Sequence, residues 1–245
     1  MFPLRDVHPS KRPPLITRVL IVLNVAAFLL QLFYGWKTNW LGGADLANVW
    51  GARPVCFVSP GSCGIALPRD GERLWQPLFV SLFLHAGVLH LAFNMLFLWV
   101  FGPRVEERLG RLAFTFAYLL GGVAATMAFI LTHPFDGAPL IGASGAIAAV
   151  LGLYFILLPK SWILTYFPPI FLFPLPAPVF LIVWIAGQLA GIWDNLPFLS
   201  PAQGLRDSPD NIAWMAHLGG FLFGAFWGWK VQPWRKKKSG DQSDS

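Results

Sequence analysis

The chain has 245 residues, of which 56% are hydrophobic and only 12% charged, where an ordinary soluble domain carries about 25% charge. That composition excludes a conventional soluble domain. With several apolar runs near the length a bilayer requires, it describes a polytopic membrane protein whose spans are helical, because lipid offers the backbone no outside hydrogen-bond partners. The net charge of +6 is read as a topological bias rather than as a nucleic-acid footprint.

In chain order, residues 1–14 form a segment ahead of the first span. Asp6 and the early prolines break any amphipathic helix there, so it is not a transit peptide. The first span, about 15–34, is no cleavable signal, since bulky Trp36 and Trp40 follow it instead of small residues. A loop over 35–80 is far longer than usual connections. Its Trp36, Trp40, Trp50, Phe57 and Trp75 suit a structured element in the membrane interface. The same loop holds both cysteines, Cys56 and Cys63. They are either two free thiols or a short bridge, and a bridge suits an oxidising periplasm or exterior.

Further spans are expected at about 86–102, 112–131, 143–158, 178–193 and 211–229. Six prolines (Pro159, Pro168, Pro169, Pro174, Pro176 and Pro178) make 159–178 an irregular interfacial connection. Glu106 and its neighbours read either as a latch within the bundle or as a solvated turn. Residues 230–245 form a basic tail, disordered beyond Trp234. The expected fold is an all-α membrane protein of six transmembrane helices, with 15–229 as a single bundle.

Lys and Arg placement orients it. Arg5, Lys11, Arg12, Arg18, Arg104, Arg108, Arg111, Lys160, Lys230, Arg235, Lys236, Lys237 and Lys238 fall on one side; Lys37, Arg53, Arg69, Arg73 and Arg206 fall on the other. The excess puts both termini in the cytoplasm. The run from Arg235 to Lys238 then serves as a headgroup anchor.

Polar groups inside the spans default to function. Counted from Pro159, Ser144 stands about 22 Å up its helix, so it lies below the far face of a core ~30 Å thick. His217, near the start of the last span, falls at a matching depth, and His90 and Asn94 enter from the same side one turn apart. A neutral imidazole activates a serine by taking its proton. The oxyanion formed on attack needs aimed donors, which the helix start at Ser144, His90 and Asn94 supply. No carboxylate lies inside any span, so the residues permit a serine–histidine dyad and no triad. Small residues Gly145, Ala149 and Gly152 face Gly220 and Gly224, bringing the fourth and sixth spans close.

The pieces His85-Ala86-Gly87-Val88-Leu89-His90 with Asn94, Val105 to Gly110, Gly142-Ala143-Ser144-Gly145, and Ala216-His217 with Gly220 and Gly224 resemble the rhomboid intramembrane serine proteases over about 73–229. The resemblance implies a six-helix rhomboid-like bundle in which Ser144 is the nucleophile and His217 the base. It implies an oxyanion hole of His90, Asn94 and the Ser144 N–H, with Gly142, Gly145, His85 and Gly220 in support. It further implies cleavage of single-span membrane proteins near the outer face, with no cofactor or metal. This chain departs from the family where an aromatic often follows the serine by one turn, here Ala148, and where Trp-Arg often precedes the first histidine, here Trp75-Gln76.

Two other classes compete. A rhomboid-like protein that binds membrane helices without cutting them usually lacks the serine or the base, and both are present. A histidine metal site or transporter is disfavoured, because five residues rotate His85 and His90 about 140° apart on a helix and no His-Glu-x-x-His occurs. The expected location is a bacterial inner membrane, with lipid and single-span substrates as partners. No nucleic acid is expected to bind, and the oligomeric state stays open.

Overall fold

A computed structural model describes residues 1–37, 42–63, 75–169, 171–194 and 213–240. Trp40, Arg69, Arg73, Arg206 and the expected start of the last span at Asn211 lie outside them.

Strand β1 (Phe2–Asp6) leads into α1 (Leu15–Lys37). The outer loop contains α2 (Gly42–Trp50), α3 (Pro54–Val58), a 3₁₀ turn and α4 (Trp75–Val80). Helices α5 (Val88–Leu109), α6 (Arg111–Thr132) and α7 (Ser144–Leu157) follow. A hairpin of β2 (Trp162–Phe167) and β3 (Phe171–Pro176) then precedes α8 (Ala177–Asp194) and α9 (Trp214–Gly240). Among the described residues α1, α5 and α6 are long and apolar enough to cross a bilayer, while α7 and α8 are shorter apolar helices.

The all-α expectation needs correction. Residues 162–176, expected to be irregular, pair as an antiparallel hairpin, and β1 adds to it in the order β1-β2-β3. The prolines excluded a helix but not a sheet. Pro3 sits on β1, and Pro174 and Pro176 on β3, the two edge strands, where a missing N–H breaks no ladder. The central strand, Trp-Ile-Leu-Thr-Tyr-Phe, has no proline and is rich in aromatic and β-branched residues. Its partner β1 joins the start of the chain to the α7–α8 connection, so both lie at one end of the bundle.

Two helix ends also move. Helix α5 continues past Pro103 to Leu109, because Glu106 is not a solvated turn residue. It is buried, and its carboxylate accepts hydrogen bonds from Ile16 N, Thr17 N and Thr17 Oγ1 at 3.0, 2.8 and 2.8 Å. That caps the exposed N–H groups at the start of α1. Helix α9 runs on to Gly240, so the tail expected to be disordered is helical to that residue; Lys and Arg are good helix formers.

Helix α7 is apolar on every side, and every residue from Gly145 to Tyr154 is buried, as expected of a helix inside a bundle. Its 14 residues reach only about 21 Å. It packs against α5, α6 and above all α9. There the backbones touch: a methyl on Gly220 would fall on the Gly145 carbonyl, one on Gly224 on the Ala149 carbonyl, and one on Gly152 on the Phe221 carbonyl. Small residues allow this approach.

Candidate active site

Ser144 is the first residue of α7, and His217 lies in the first turn of α9. The glycine contacts between these helices fix their starts side by side. The two side chains meet, with His217 Nε2 at 2.8 Å from Ser144 Oγ. His217 is nearer the described start of its helix than a span beginning at 211 suggested. The depths still match, because Ser144 also opens its helix.

Gly142 shapes the approach to the serine. Its φ of +125° belongs to the region that L side chains avoid. A methyl there would also stand 2.7 Å from His90 Cε1 and 2.9 Å from His90 Nε2, with Ser144 Oγ 3.8 Å away. The His90 ring and the serine hydroxyl thus flank one point of backbone. Gly142 N donates to Ser81 O at 2.9 Å, which ties this loop to a second 3₁₀ turn, Ser81–Phe83, directly after α4.

His90 Nδ1 accepts a hydrogen bond from Ala86 N at 3.4 Å. A neutral ring that accepts at Nδ1 carries its proton on Nε2, the atom beside Gly142. His85 packs edge-on to His90 with ring centroids 5.1 Å apart. The His85 backbone is held at both ends by Gln31, which accepts from its N–H at 2.9 Å and donates to its carbonyl at 3.2 Å. Burial, and secondarily the repulsion that a protonated His90 would exert, hold the His85 imidazole at about 4, below its usual 6.5. Asn94 is buried, and its Nδ2 has no partner among the described residues.

His90, Asn94, Ser144 and His217 all border one cavity of about 840 Å³. Its other walls are mostly apolar: Leu89, Phe93, Phe97, Ile141, Ile147, Leu151 and Trp184 among them. Phe180 on α8 packs against Phe97 and Phe101 on α5 at 6.3 and 5.7 Å between centroids.

Of the residues singled out in the sequence, Ser144, His217, His90, Asn94, Gly142 and His85 come together here, while Gly145 and Gly220 meet just behind. Cys56 and Cys63 are joined by a disulfide in the outer loop. That loop reaches the segment before Ser144 through Arg53, which donates to Gly137 O at 2.7 Å, and through the Ala52–Leu140 bridge.

Sequence reasoning gave one further residue no place in the site. Gln188 on α8 places Oε1 2.7 Å from His217 Nδ1. Counted from Ala177, it lies about 16 Å along α8, and that depth was the available signal. The rings of Trp184 on α8 and of Trp214, at the start of His217's own helix, also stand 6.1 and 6.4 Å from the His217 ring, where Ala148 offers none.

A hydroxyl hydrogen-bonded to an imidazole, with the unpartnered Asn94 amide on the same cavity and mostly apolar walls around them, is the kind of arrangement that acyl-transfer chemistry uses. The family is explicit in the sequence: the rhomboid domain pattern matches residues 71–234, and the chain belongs to the rhomboid family. It is 32% identical over 139 residues to rhomboid protease GluP of Bacillus subtilis (strain 168), covering 57% of this chain and 24% of that one. It is 32% identical over 156 residues to mitochondrial rhomboid protein 1 of Saccharomyces cerevisiae, covering 62% and 40%. The putative rhomboid protease YdcA of B. subtilis is 36% identical over 85 residues, covering 35% and 41%. The chain thus spans less than half the length of these curated relatives. The family is one of integral membrane proteins, with proteases and mitochondrial members among those named.

Proposed function

We propose that this chain is an intramembrane serine endopeptidase that cleaves transmembrane helices of single-span proteins near the outer face of the membrane. The observation that carries the reading is the 2.8 Å contact between His217 Nε2 and Ser144 Oγ on the wall of an apolar cavity. In this reading α1, α5, α6, α7, α8 and α9 are the six spans, both termini are cytoplasmic, and the host membrane is a bacterial inner membrane.

A peptide carbonyl in an intact helix is engaged with its own backbone, so a substrate segment must unwind before it can react. The mostly apolar walls of the cavity suit such a segment. His217 removes the Ser144 proton as Oγ attacks the carbonyl carbon, and the carbonyl oxygen becomes an oxyanion. The His90 Nε2–H, the unpaired Asn94 Nδ2 and the N–H of Ser144 at the start of α7 receive that charge, and the helix dipole reinforces them. Each pre-aimed donor of this kind is worth about 10²–10³ in rate. His217 then protonates the departing amine, the C–N bond breaks, and an acyl-serine remains. Water from the outer side attacks that ester with His217 again as base, releasing the carboxylic acid and restoring Ser144. The chemistry draws on side chains, backbone and water alone.

Gly142 and His85 serve by holding His90 in place, and Gly145 and Gly220 by letting α7 and α9 approach. The non-cutting alternative has no need for a serine and a base in contact. Co-expression with tagged single-span proteins tests the proposal: cleavage by the intact chain and none by Ser144→Ala or His217→Ala is expected, whereas cleavage by either variant overturns it.

A further inference from the structure

Ala148, one turn beyond Ser144 on α7, offers no ring to hold the His217 imidazole. A general base needs one ring nitrogen free, and something must decide which. We infer that Gln188 is the positioning residue for His217, fixing the imidazole as its Nδ1–H tautomer so that Nε2 faces Ser144 with a lone pair. The inference rests on the protease reading above and names a residue that reading does not require.

The amide's own orientation comes first. Gln188 Nε2 donates to Trp184 O at 3.3 Å, one turn back on the same helix. That bond turns Oε1 toward His217, 2.7 Å from Nδ1. An amide oxygen only accepts, so the proton between them belongs to Nδ1, and a neutral ring then has its lone pair on Nε2. The opposite amide orientation would set Gln188 Oε1 against the Trp184 carbonyl, two acceptors face to face. It would also aim an NH₂ at Nδ1, forcing the proton onto Nε2 and leaving His217 unable to accept from Ser144.

Burial strengthens the argument. Gln188 is 7% exposed, so water does not readily replace its bond. The Trp184 and Trp214 rings restrict rotation of His217 but offer no acceptor for Nδ1–H. The two site histidines therefore hold opposite tautomers, each set by its Nδ1 partner: Ala86 N–H makes His90 a donor at Nε2, and Gln188 makes His217 an acceptor there. One serves the oxyanion and the other the nucleophile.

The test uses the full chain in detergent micelles. Nitrogen-15 spectra of histidine-labelled protein, with His217 assigned by its loss in His217→Phe, report the tautomer whether or not any substrate is cut. An Nδ1–H signal is expected for the native chain, and a mixture of tautomers for Gln188→Leu. In cleavage assays Gln188→Leu should lose kcat by roughly tenfold or more, the equivalent of one hydrogen bond, with KM within about twofold. Gln188→Glu, which restores an acceptor, should recover most of that loss. Thermal melts of each variant separate this from unfolding. A native Nε2–H tautomer, or undiminished kcat in a folded Gln188→Leu protein, overturns the inference. Cleavage by Ser144→Ala would instead overturn the protease reading.

Discussion

Removing the Glu106 carboxylate should destabilise the bundle without touching the site. Glu106 is 4% exposed and receives three hydrogen bonds at the start of α1, from Ile16 N, Thr17 N and Thr17 Oγ1. A hydrogen bond to a charged group contributes about 1.5–3 kcal/mol. Ile16 is only half-buried, so water recovers much of its bond in Glu106→Ala. Thr17 is fully buried, and both of its donors are left without a partner. Two such losses give about 3–6 kcal/mol, with about 0.3–1 kcal/mol more from the uncompensated helix dipole. Glu106→Gln keeps one acceptor oxygen and should cost roughly half as much, while Thr17→Val removes a single bond. Denaturation in detergent micelles measures the order Ala, then Gln, then Val. Asn94 lies 12 residues up α5 from Glu106, about 18 Å away, so folded Glu106→Ala protein should retain normal kcat. A loss below about 1 kcal/mol in Glu106→Ala would refute the capping argument.

Gly142→Ala combines positive-φ strain of about 1–3 kcal/mol with a methyl 2.7 Å from the His90 ring. Displacing that donor should lower kcat by about 10²–10³, measured at saturating reporter substrate. Gly224→Val drives a side chain onto the Ala149 carbonyl and separates α7 from α9; a misplacement near 1 Å costs about 10² in rate. Gly187→Ala, where a methyl meets nothing within 4 Å, is the control that should change neither rate nor melting temperature. His85 stays neutral in the fold down to about pH 4, against 6.5 for the free imidazole. Stability from this group is therefore level above about pH 6.5. It falls as pH drops from there toward 4, because the unfolded chain takes the proton first, and His85→Phe should flatten that dependence in denaturation curves.

Much of the site was legible because membrane burial makes polar residues conspicuous. Ser144 at the top of a short apolar run, His217 at matching depth, and His90 and Asn94 one turn apart all followed from counting residues along helices. The glycines of α7 and α9 declared the close contact that joins them. The contact of Gln188 with His217 was not foreseen because the search favoured ionisable groups, although an uncharged amide in an apolar helix faces the same demand for a partner. Glu106 could not be assigned, since the sequence does not tell that the start of α1 packs beside the end of α5. The sheet stayed hidden for a related reason. Pro174 and Pro176 exclude a helix on local grounds, but only the arrival of residues 2–6 beside 163–166 turns that stretch into a three-stranded unit, and that pairing spans most of the chain.

The central claim is that His217 activates Ser144, and labelling with a serine-directed fluorophosphonate tests it most directly. Mass spectrometry of the full chain should locate one adduct on the peptide containing Ser144, absent in Ser144→Ala and formed far more slowly in a folded His217→Ala protein. An unreactive Ser144, or labelling at an unchanged rate without the imidazole, would contradict the account.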